Sequence, residues 1–308
     1  MLISVVTPCL NRAAFVIQAI DSVQRQGYPH VEHIIVDGGS TDGTLELLVH
    51  YPHLVVSSQP DAGVYDALNR GIRLSHGQII GFLNTDDMYE PDIFGSVAQR
   101  FLESPQIDAV VGGASIFVGP SIREAEARAS FPAVGQGELL VRATHGAPVF
   151  NAWFFRRRLF DELGGFDERY LYVADRDLLI RMALNRTSYE SLNSTVYHYR
   201  MHPGSFTLSG KDSGEADWMF ECQTLAERYI QDRNAAPETL KCLREWHSQL
   251  TVEHMLTAWR KGALLRLPGY MLIGIRYNHS GWPRIFVNKA AERLRIFLGN
   301  TIRPIFSR

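Results

Sequence analysis

Residues 78–87 read QIIGFLNTDD. After Gln78 the run is wholly apolar, the mark of a strand buried on both faces, and it stops at a polar turn ending in Asp86 and Asp87. Strands of that kind belong to parallel sheets covered by helices, where ligands bind outside the carboxyl ends of the strands. Two adjacent carboxylates in such a turn suit Mg2+ or Mn2+, hard cations that take oxygen ligands, often one or two carboxylates plus substrate phosphates. Neighbouring strand residues point opposite ways, so both acids reach one site only if the strand has ended, or if one works through water or a ribose hydroxyl.

The pattern repeats outward from this strand. Ile3–Thr7, ended by Pro8, His33–Val36 and Leu54–Ser57 read as three more strands. Ala13–Gln26, with Asn11 as N-cap, a helix capped by Ser40 or Thr41, and Val64–Ser75 lie between them. Pro91 opens another helix at its tolerated first-turn position. Ala109–Val111, Ser115–Val118, Pro148–Phe155 and Thr195–Tyr199 read as strands, and Gly119–Gln136 as a long, partly flexible loop. Arg157–Leu163 is a helix closed by Gly164 and Gly165, and Ala174–Asn185 a longer one. Alternating strands and helices imply an α/β sheet with helices on both faces. Beyond about Gly210 the strand signals fade, and Glu215–Ile230, Pro237–Lys261 and Arg284–Leu298 read as helices. The expected division is a sheet domain over residues 1–210 and a helical region over 211–308.

The chain has 308 residues, 45% hydrophobic and 21% charged, which excludes disordered and collagen-like classes. Cys9, Cys222 and Cys242 form no C-x-x-C pair and no disulfide framework, which suits a reducing compartment. The apolar start, MLISVVTPCLNR, has no basic region before it and reads as a buried strand rather than a signal peptide. No run is long and apolar enough to span a bilayer, so the expected location is the cytoplasm, peripheral on the inner face of the plasma membrane if attached at all. The net charge of −2 hides a separation. From Trp259 to the end there are ten basic residues against one acid, Glu292, whereas residues 1–258 carry 21 basic and 32 acidic residues. Such a split implies a partner for the basic part.

Acids recur at the strand ends. Asp37 is followed by Gly38 and Gly39, Asp61 precedes the helix bearing Tyr65, Asp66 and Asn69, and Asp175 stands near the start of a later helix. Singly, each suits a cap or an Asx turn. Several on one sheet edge outline a polar cleft for a hydroxyl-rich, phosphate-bearing ligand.

SVVTPCLNR at Ser4–Arg12, IIVDGGSTDGT at Ile34–Thr44, QPDAGVYDALNRG at Gln59–Gly71 and GFLNTDDMYEP at Gly81–Pro91 together closely resemble the inverting family 2 glycosyltransferases of GT-A fold. LGGFDERYLYVADRDLLIRMAL, Leu163–Leu184, is similar to their acceptor-side motif, and the similarity reaches about Ser205. The resemblance implies roles. Thr7, Pro8 and Asn11 would wall the nucleotide pocket, and Asp37 would accept a hydrogen bond from the base. Asp61, Asp66 and Asn69 would line the donor ribose and sugar, and Asp86 and Asp87 would form the Mn2+ or Mg2+ motif, with Asp87 the direct ligand. The motif Glu-Asp of the family reads Ala174-Asp175 here; the Glu is missing, and register makes Asp175 the general base. Asp177 points about 200° away and suits an ion pair with Arg181.

The implied reaction moves a hexosyl or N-acetylhexosaminyl group from a nucleoside diphosphate sugar, most simply a UDP-sugar, to a hydroxyl of a glycan or lipid-linked acceptor in surface polysaccharide or glycolipid assembly. A glycosidase would also use two carboxylates, but no sugar-nucleotide pocket. A nucleotidyltransferase would start with a glycine-rich basic loop, whereas TPCLNR has no glycine. A catalytically inactive scaffold of the same fold, binding a partner through the basic tail, is the alternative of a different class. The processive-synthase motif Gln-x-x-Arg-Trp is absent. His198, Arg200 and His202 follow the last strand, placed either to meet a metal or diphosphate or to close the cleft as a hydrogen-bonded loop. In the tail, Val287, Ala290, Leu294 and Phe297 make one helical stripe flanked by Lys289 and Arg293. That stripe either lies on an anionic membrane surface or packs on the catalytic domain or a second subunit in a homo-oligomer. Nucleic acid is not an expected partner, because no reader motif accompanies the charge.

Overall fold

The computed structural model describes residues 1–119, 126–135, 137–146, 149–203, 212–232, 235–279, 281–289 and 291, with only the backbone at 126–127 and 212–216. The chain divides into two compact units, Met1–Lys211 and Asp212–Arg308.

The first unit is built on β1 (Ile3–Cys9), β2 (Val31–Asp37), β3 (Leu54–Ser58), β4 (Ile79–Phe82), β5 (Met88–Tyr89), β6 (Ala109–Val118), β7 (Glu126–Phe131), β8 (Trp153–Arg156) and β9 (Tyr189–Arg200). Among the described residues these form one sheet in the order β3-β2-β1-β4-β8-β6-β9-β5, with β7 paired to β6. Strands β3, β2, β1 and β4 are parallel, β8 runs against both β4 and β6, and β6 and β9 are parallel. The carboxyl ends of β1, β2, β3, β4, β6 and β9 therefore share one edge. The helices are α1 (Val16–Gln24), α2 (Thr44–Leu48), α3 (Val64–Leu74), α4 (Ile93–Glu103), α5 (Leu139–His145), α6 (Arg157–Leu163) and α7 (Ala174–Leu184).

Helices cover both faces. Ile3 and Val5 pack with Ala19 and Val23 of α1 and with Phe94, Val97 and Phe101 of α4. Ile35 and Cys9 pack with Ile20 and Leu48. Val6 and Val36 point the other way, to α3, where Gly71 brings the helix backbone down onto the sheet: a Cβ there would lie 2.2 Å from Val6 Cγ1. A further cluster of Phe82, Phe150, Phe155, Phe160 and Phe166, with Phe82 and Phe166 edge to face at 5.4 Å, anchors the loop after α6.

Several local expectations are corrected. Pro8 does not end β1; pairing with β4 stops at Val6, so by Pro8 the strand has one neighbour only, where proline is tolerated. Asn11 is not an N-cap. It sits at φ 53°, and α1 begins at Val16 after Phe15. Neither Ser40 nor Thr41 caps α2, which follows Gly43 at φ 91°. Pro91 lies before α4, whose first amides, Ile93 and Phe94, donate instead to Gln26 Oε1 at 2.9 and 3.2 Å. The two strands expected at 109–118 are one, β6; around Gly113 its partner β9 carries extra residues and the register shifts, and a Cβ on Gly112 would meet Val196 Cγ1 at 2.2 Å. Within the expected loop at 119–136 lies β7, while residues 120–125 and 136 fall outside the described residues.

The second unit contains α8 (Asp212–Ile230), α9 (Pro237–Arg260), a 3₁₀ turn at Leu264–Arg266 and α10 (Leu267–Tyr277), followed by helical residues 282–289. Residues 290 and 292–298 of the stripe expected at Arg284–Leu298 lie outside the described residues, and so does residue 210 of the expected boundary. No described helix is long and apolar enough to cross a membrane.

Gly71→Ala tests the approach of α3. Helix propensity favours alanine by about 1 kcal/mol, but the clash with a branched Val6 methyl costs about 1–3 kcal/mol. The variant is expected to lose net stability in urea unfolding; a gain would mean that α3 is free to shift outward.

Candidate active site

The shared strand edge carries a ring of contacts. At its start, the Asn11 amide donates to Ser40 Oγ at 2.7 Å, and Asn11 Oδ1 accepts from the Thr41 N–H at 2.9 Å. This explains the left-handed Asn11: the residue spends its polar groups on the loop after β2. In that loop Asp37, fully buried, accepts from the N–H groups of Gly39 and Ser40 at 2.9 and 3.0 Å, from Ser58 Oγ at 2.7 Å and from Ser40 Oγ. Burial alone would push the Asp37 carboxyl up, but these hydrogen bonds outweigh it and hold it below the ordinary carboxylate range.

Gly38 joins this loop to the next. A Cβ there would lie 2.6 Å from Asp61 Oδ2, so only glycine lets that carboxylate approach. Asp61 Oδ1 accepts from the Gly63 N–H at 3.1 Å, and Asp66 Oδ2 accepts from the Ala62 N–H at 3.0 Å, which fixes the entry to α3. From α3, the Tyr65 hydroxyl reaches Asp175 Oδ1 at 3.4 Å. Asp175 lies half-buried in the first turn of α7 and also accepts from the Arg176 N–H at 2.7 Å. Burial raises its carboxyl above the usual range, against the pull of Arg176. Asp177 faces away and pairs with Arg181 Nε at 2.8 Å, whose guanidinium also binds the carbonyls of Leu163, Gly164 and Gly165.

Asp87 is the buried anchor of the other side. Its Oδ1 accepts from the Arg200 N–H at 2.8 Å, and its Oδ2 accepts from the Tyr197 hydroxyl at 2.9 Å and Asn84 Nδ2 at 3.1 Å. Burial, then the neighbouring Asp86 charge, push this carboxyl up despite those bonds. Burial followed by the charges of Asp87 and Asp175 likewise raises the Tyr199 phenol, so both carboxylates act on the same hydroxyl. Asp86 Oδ2 lies 2.9 Å from His202 Nε2, with both side chains partly exposed. His202 packs on Phe15 at 4.5 Å, and Arg200 lies over Phe117 while donating to the Asp86 and Gly119 carbonyls. His198 is held between Glu90 at 2.5 Å and Ser115 at 2.7 Å.

The structure thus brings Asn11, Asp37, Asp61, Asp66, Asp86, Asp87 and Asp175 to one edge, with Pro8 half-buried at the end of β1. Three residues make contacts within the fold that their expected roles did not include. The Thr7 hydroxyl is buried against His33 Nε2 at 2.9 Å, inside the sheet packing. Asn69 clamps the turn before α7: its amide donates to the Phe166 carbonyl and Glu168, and its oxygen accepts from the Phe166 N–H at 2.8 Å. Asp87 had been given the direct metal role, yet both its oxygens accept hydrogen bonds from the protein, whereas Asp86 Oδ2 and His202 Nε2 meet each other at 2.9 Å on partly exposed side chains. Among the described residues no group of three or more His, Cys, Asp or Glu is gathered to hold a metal. Two donors nevertheless fit a divalent ion that takes its remaining ligands from a diphosphate and water. The sequence placed Tyr65 on the helix after Asp61 without a role and gave none to Tyr197 and Tyr199, for which the alternation of tyrosines in VYHYR on one strand was the available signal.

Residues 4–164, just over half of the chain, match the sequence profile described as Glycosyl transferase family 2. The chain is 35% identical over 188 residues to a PGL/p-HBAD biosynthesis glycosyltransferase of Mycobacterium bovis, covering 59% of this chain and 70% of that protein. In fold it is similar to S. aureus TarS 1–349 in complex with UDP-GlcNAc, with a TM-score of 0.62, 15% identity, and 95% and 92% of the two chains covered. The mannosyltransferase PcManGT from Pyrobaculum calidifontis, in complex with GDP-Man and Mn2+, aligns with a TM-score of 0.55 at 19% identity, covering 95% of this chain and 86% of that one.

Asn69→Ala leaves a buried N–H and carbonyl of Phe166 without partners and is expected to cost about 2 kcal/mol. A urea midpoint equal to that of the wild type would show that the turn holds without the clamp.

Proposed function

Because the chain belongs to glycosyl transferase family 2, we propose that it transfers a sugar, with inversion, from a nucleoside diphosphate sugar to an acceptor hydroxyl. The observation that carries this reading is Asp175. It is a carboxylate of raised pKa, held by one amide and one phenol, and together with Asp87 at the tip of β4 it raises the Tyr199 phenol.

The steps follow from the residues. The loop that Asp37 holds in shape receives the base, and UDP is the donor nucleotide favoured here, supported by the likeness in fold to a protein solved with UDP-GlcNAc. Asp61 and Asp66 line the path from the nucleotide toward Tyr65. Asp175 takes the proton from the acceptor hydroxyl as its oxygen attacks the anomeric carbon from the face opposite the diphosphate. The bond from that carbon to the diphosphate oxygen breaks, and the configuration inverts. Base catalysis of this kind is worth about 10²–10⁴-fold. Mn2+ or Mg2+, held by Asp86 and His202, would supply charge stabilisation to the departing diphosphate. Asp87 keeps the backbone of Arg200 and the Asn84 turn in place for those two ligands.

The acceptor class we propose is a glycan or lipid-linked hydroxyl in polysaccharide or glycolipid biosynthesis, in keeping with the PGL/p-HBAD biosynthesis named for the mycobacterial relative. An acceptor on a lipid carrier would place the reaction at a membrane surface.

Asp175→Asn should lower turnover about 10²–10⁴-fold while nucleotide binding persists, read as release of nucleoside diphosphate from a panel of nucleotide sugars. Turnover equal to wild type would remove the base assignment. The raised carboxyl also sets a sign: the base works ionised, so activity falls as pH drops through its pKa. The acid limb of kcat/KM should therefore sit above the pH at which an ordinary aspartate titrates, and a limb at the ordinary value would contradict the role.

A further inference from the structure

We propose that the turn at Leu264–Arg266 together with α10 is a docking surface for an anionic lipid bilayer. This goes beyond the reaction and holds whatever sugar is transferred. α10 is apolar on two opposite faces. One is packed: Leu267 and Tyr270 join the cluster of Val252, Met255, Trp282 and Ile285, Tyr277 lies 4.4 Å from the His247 ring, and Gly274 is so close that a Cβ would fall 1.8 Å from Trp282 Nε1. The other face carries Met271, Leu272 and Ile275, and the preceding turn adds Leu264 and Leu265, all exposed, with Leu265 at 98% and Leu272 at 69%. Leu272 lies two residues, about 200°, from both Tyr270 and Gly274, so the packing of one face forces the other outward.

The surroundings choose the occupant. Arg260, Lys261, Arg266 and Arg276 are exposed beside these side chains, and among the described residues none of them forms an ion pair. No acid occurs in the sequence from 259 to 291. Trp259, 62% exposed, adds an aromatic ring of the kind that settles at a headgroup boundary. Leucines ringed by unpaired cations match a surface that is apolar within and negative at its face. A second copy meeting this patch with its own would oppose cation to cation, which disfavours a symmetric dimer through it. The stripe expected further along, at 284–298, is thus not needed for the surface; there Arg284 and Lys289 face Glu245 and Glu253 at 3.7 and 3.8 Å.

Co-sedimentation of the full chain with phosphatidylcholine vesicles, with and without roughly a third phosphatidylglycerol, tests this. The wild type should sediment with the anionic vesicles, less so at high salt, and far less with neutral ones. Leu265→Ser with Leu272→Ser should lower partition about tenfold or more, because two leucines no longer leave water. Arg260→Gln with Arg276→Gln should lower it on anionic vesicles by about tenfold. Both double variants alter exposed side chains and should melt as the wild type does. Their release of nucleoside diphosphate without vesicles should be unchanged, which separates failure of docking from failure of the transferase reading. Partition equal to wild type in both variants would overturn the proposal. So would a wild type that ignores anionic vesicles, or an oligomer, seen by sedimentation equilibrium, that the leucine variant dissociates.

Discussion

A buried carboxylate holds the site together. Asp87 accepts hydrogen bonds from the Arg200 amide, the Tyr197 hydroxyl and Asn84, and so ties the tip of β4 to β9, a strand three places away in the sheet. Between those strands the chain must cross the sheet edge, and β5 then pairs with β9 on its far side. A buried carboxylate without donors would cost several kcal/mol. With three donors, its burial becomes a constraint on where the Asn84 turn, Arg200 and the adjacent Asp86 can lie. Asp86 is left at the rim, facing His202, because its neighbour is inside.

The same division of labour runs round the edge. At each loop one polar group is spent on the backbone and another is left to the cleft. Asp37 is saturated by its own loop and Ser58, and that saturation keeps it ionised although fully buried. Asn69 and the Arg181–Asp177 pair hold the segment from Leu163 to Phe166, and Asp175 stands free of that work on the next turn. The aromatic cluster around Phe82 and Phe166 backs this segment from the core. The placement of the rim carboxylates thus depends on polar groups that are themselves spent inside the fold.

How far the sequence foretold this depends on the range of the contacts involved. Strands β1, β2 and β4 were legible because burial on both faces leaves a local, continuous apolar signature, and the acids after β2 and β4 followed from the same runs. The helix closed by Gly164 was legible because a left-handed C-cap asks for glycine locally. What failed was decided at long range. Gly112 and Gly113 read as a break between strands, yet Val196 of β9 presses on the first and the Phe131 carbonyl of β7 on the second. Gln26 caps α4 from 67 residues away, which no cap pattern reveals. Asn69 looked like a ligand-facing polar residue, and only the fold shows its amide consumed by Phe166. α10 escaped because a helix apolar on two faces has no clear amphipathic period.

Arg176, next to Asp175, has a wider consequence. Its guanidinium binds the end of α5 through the carbonyls of Ala143, Thr144 and Gly146. Those are main-chain atoms, which every residue type supplies. The attachment is therefore indifferent to the side chains α5 displays, among them the exposed Val141. The exposed side chains of that short helix can change without loosening its attachment to α7, and the carboxylate beside Arg176 keeps its place.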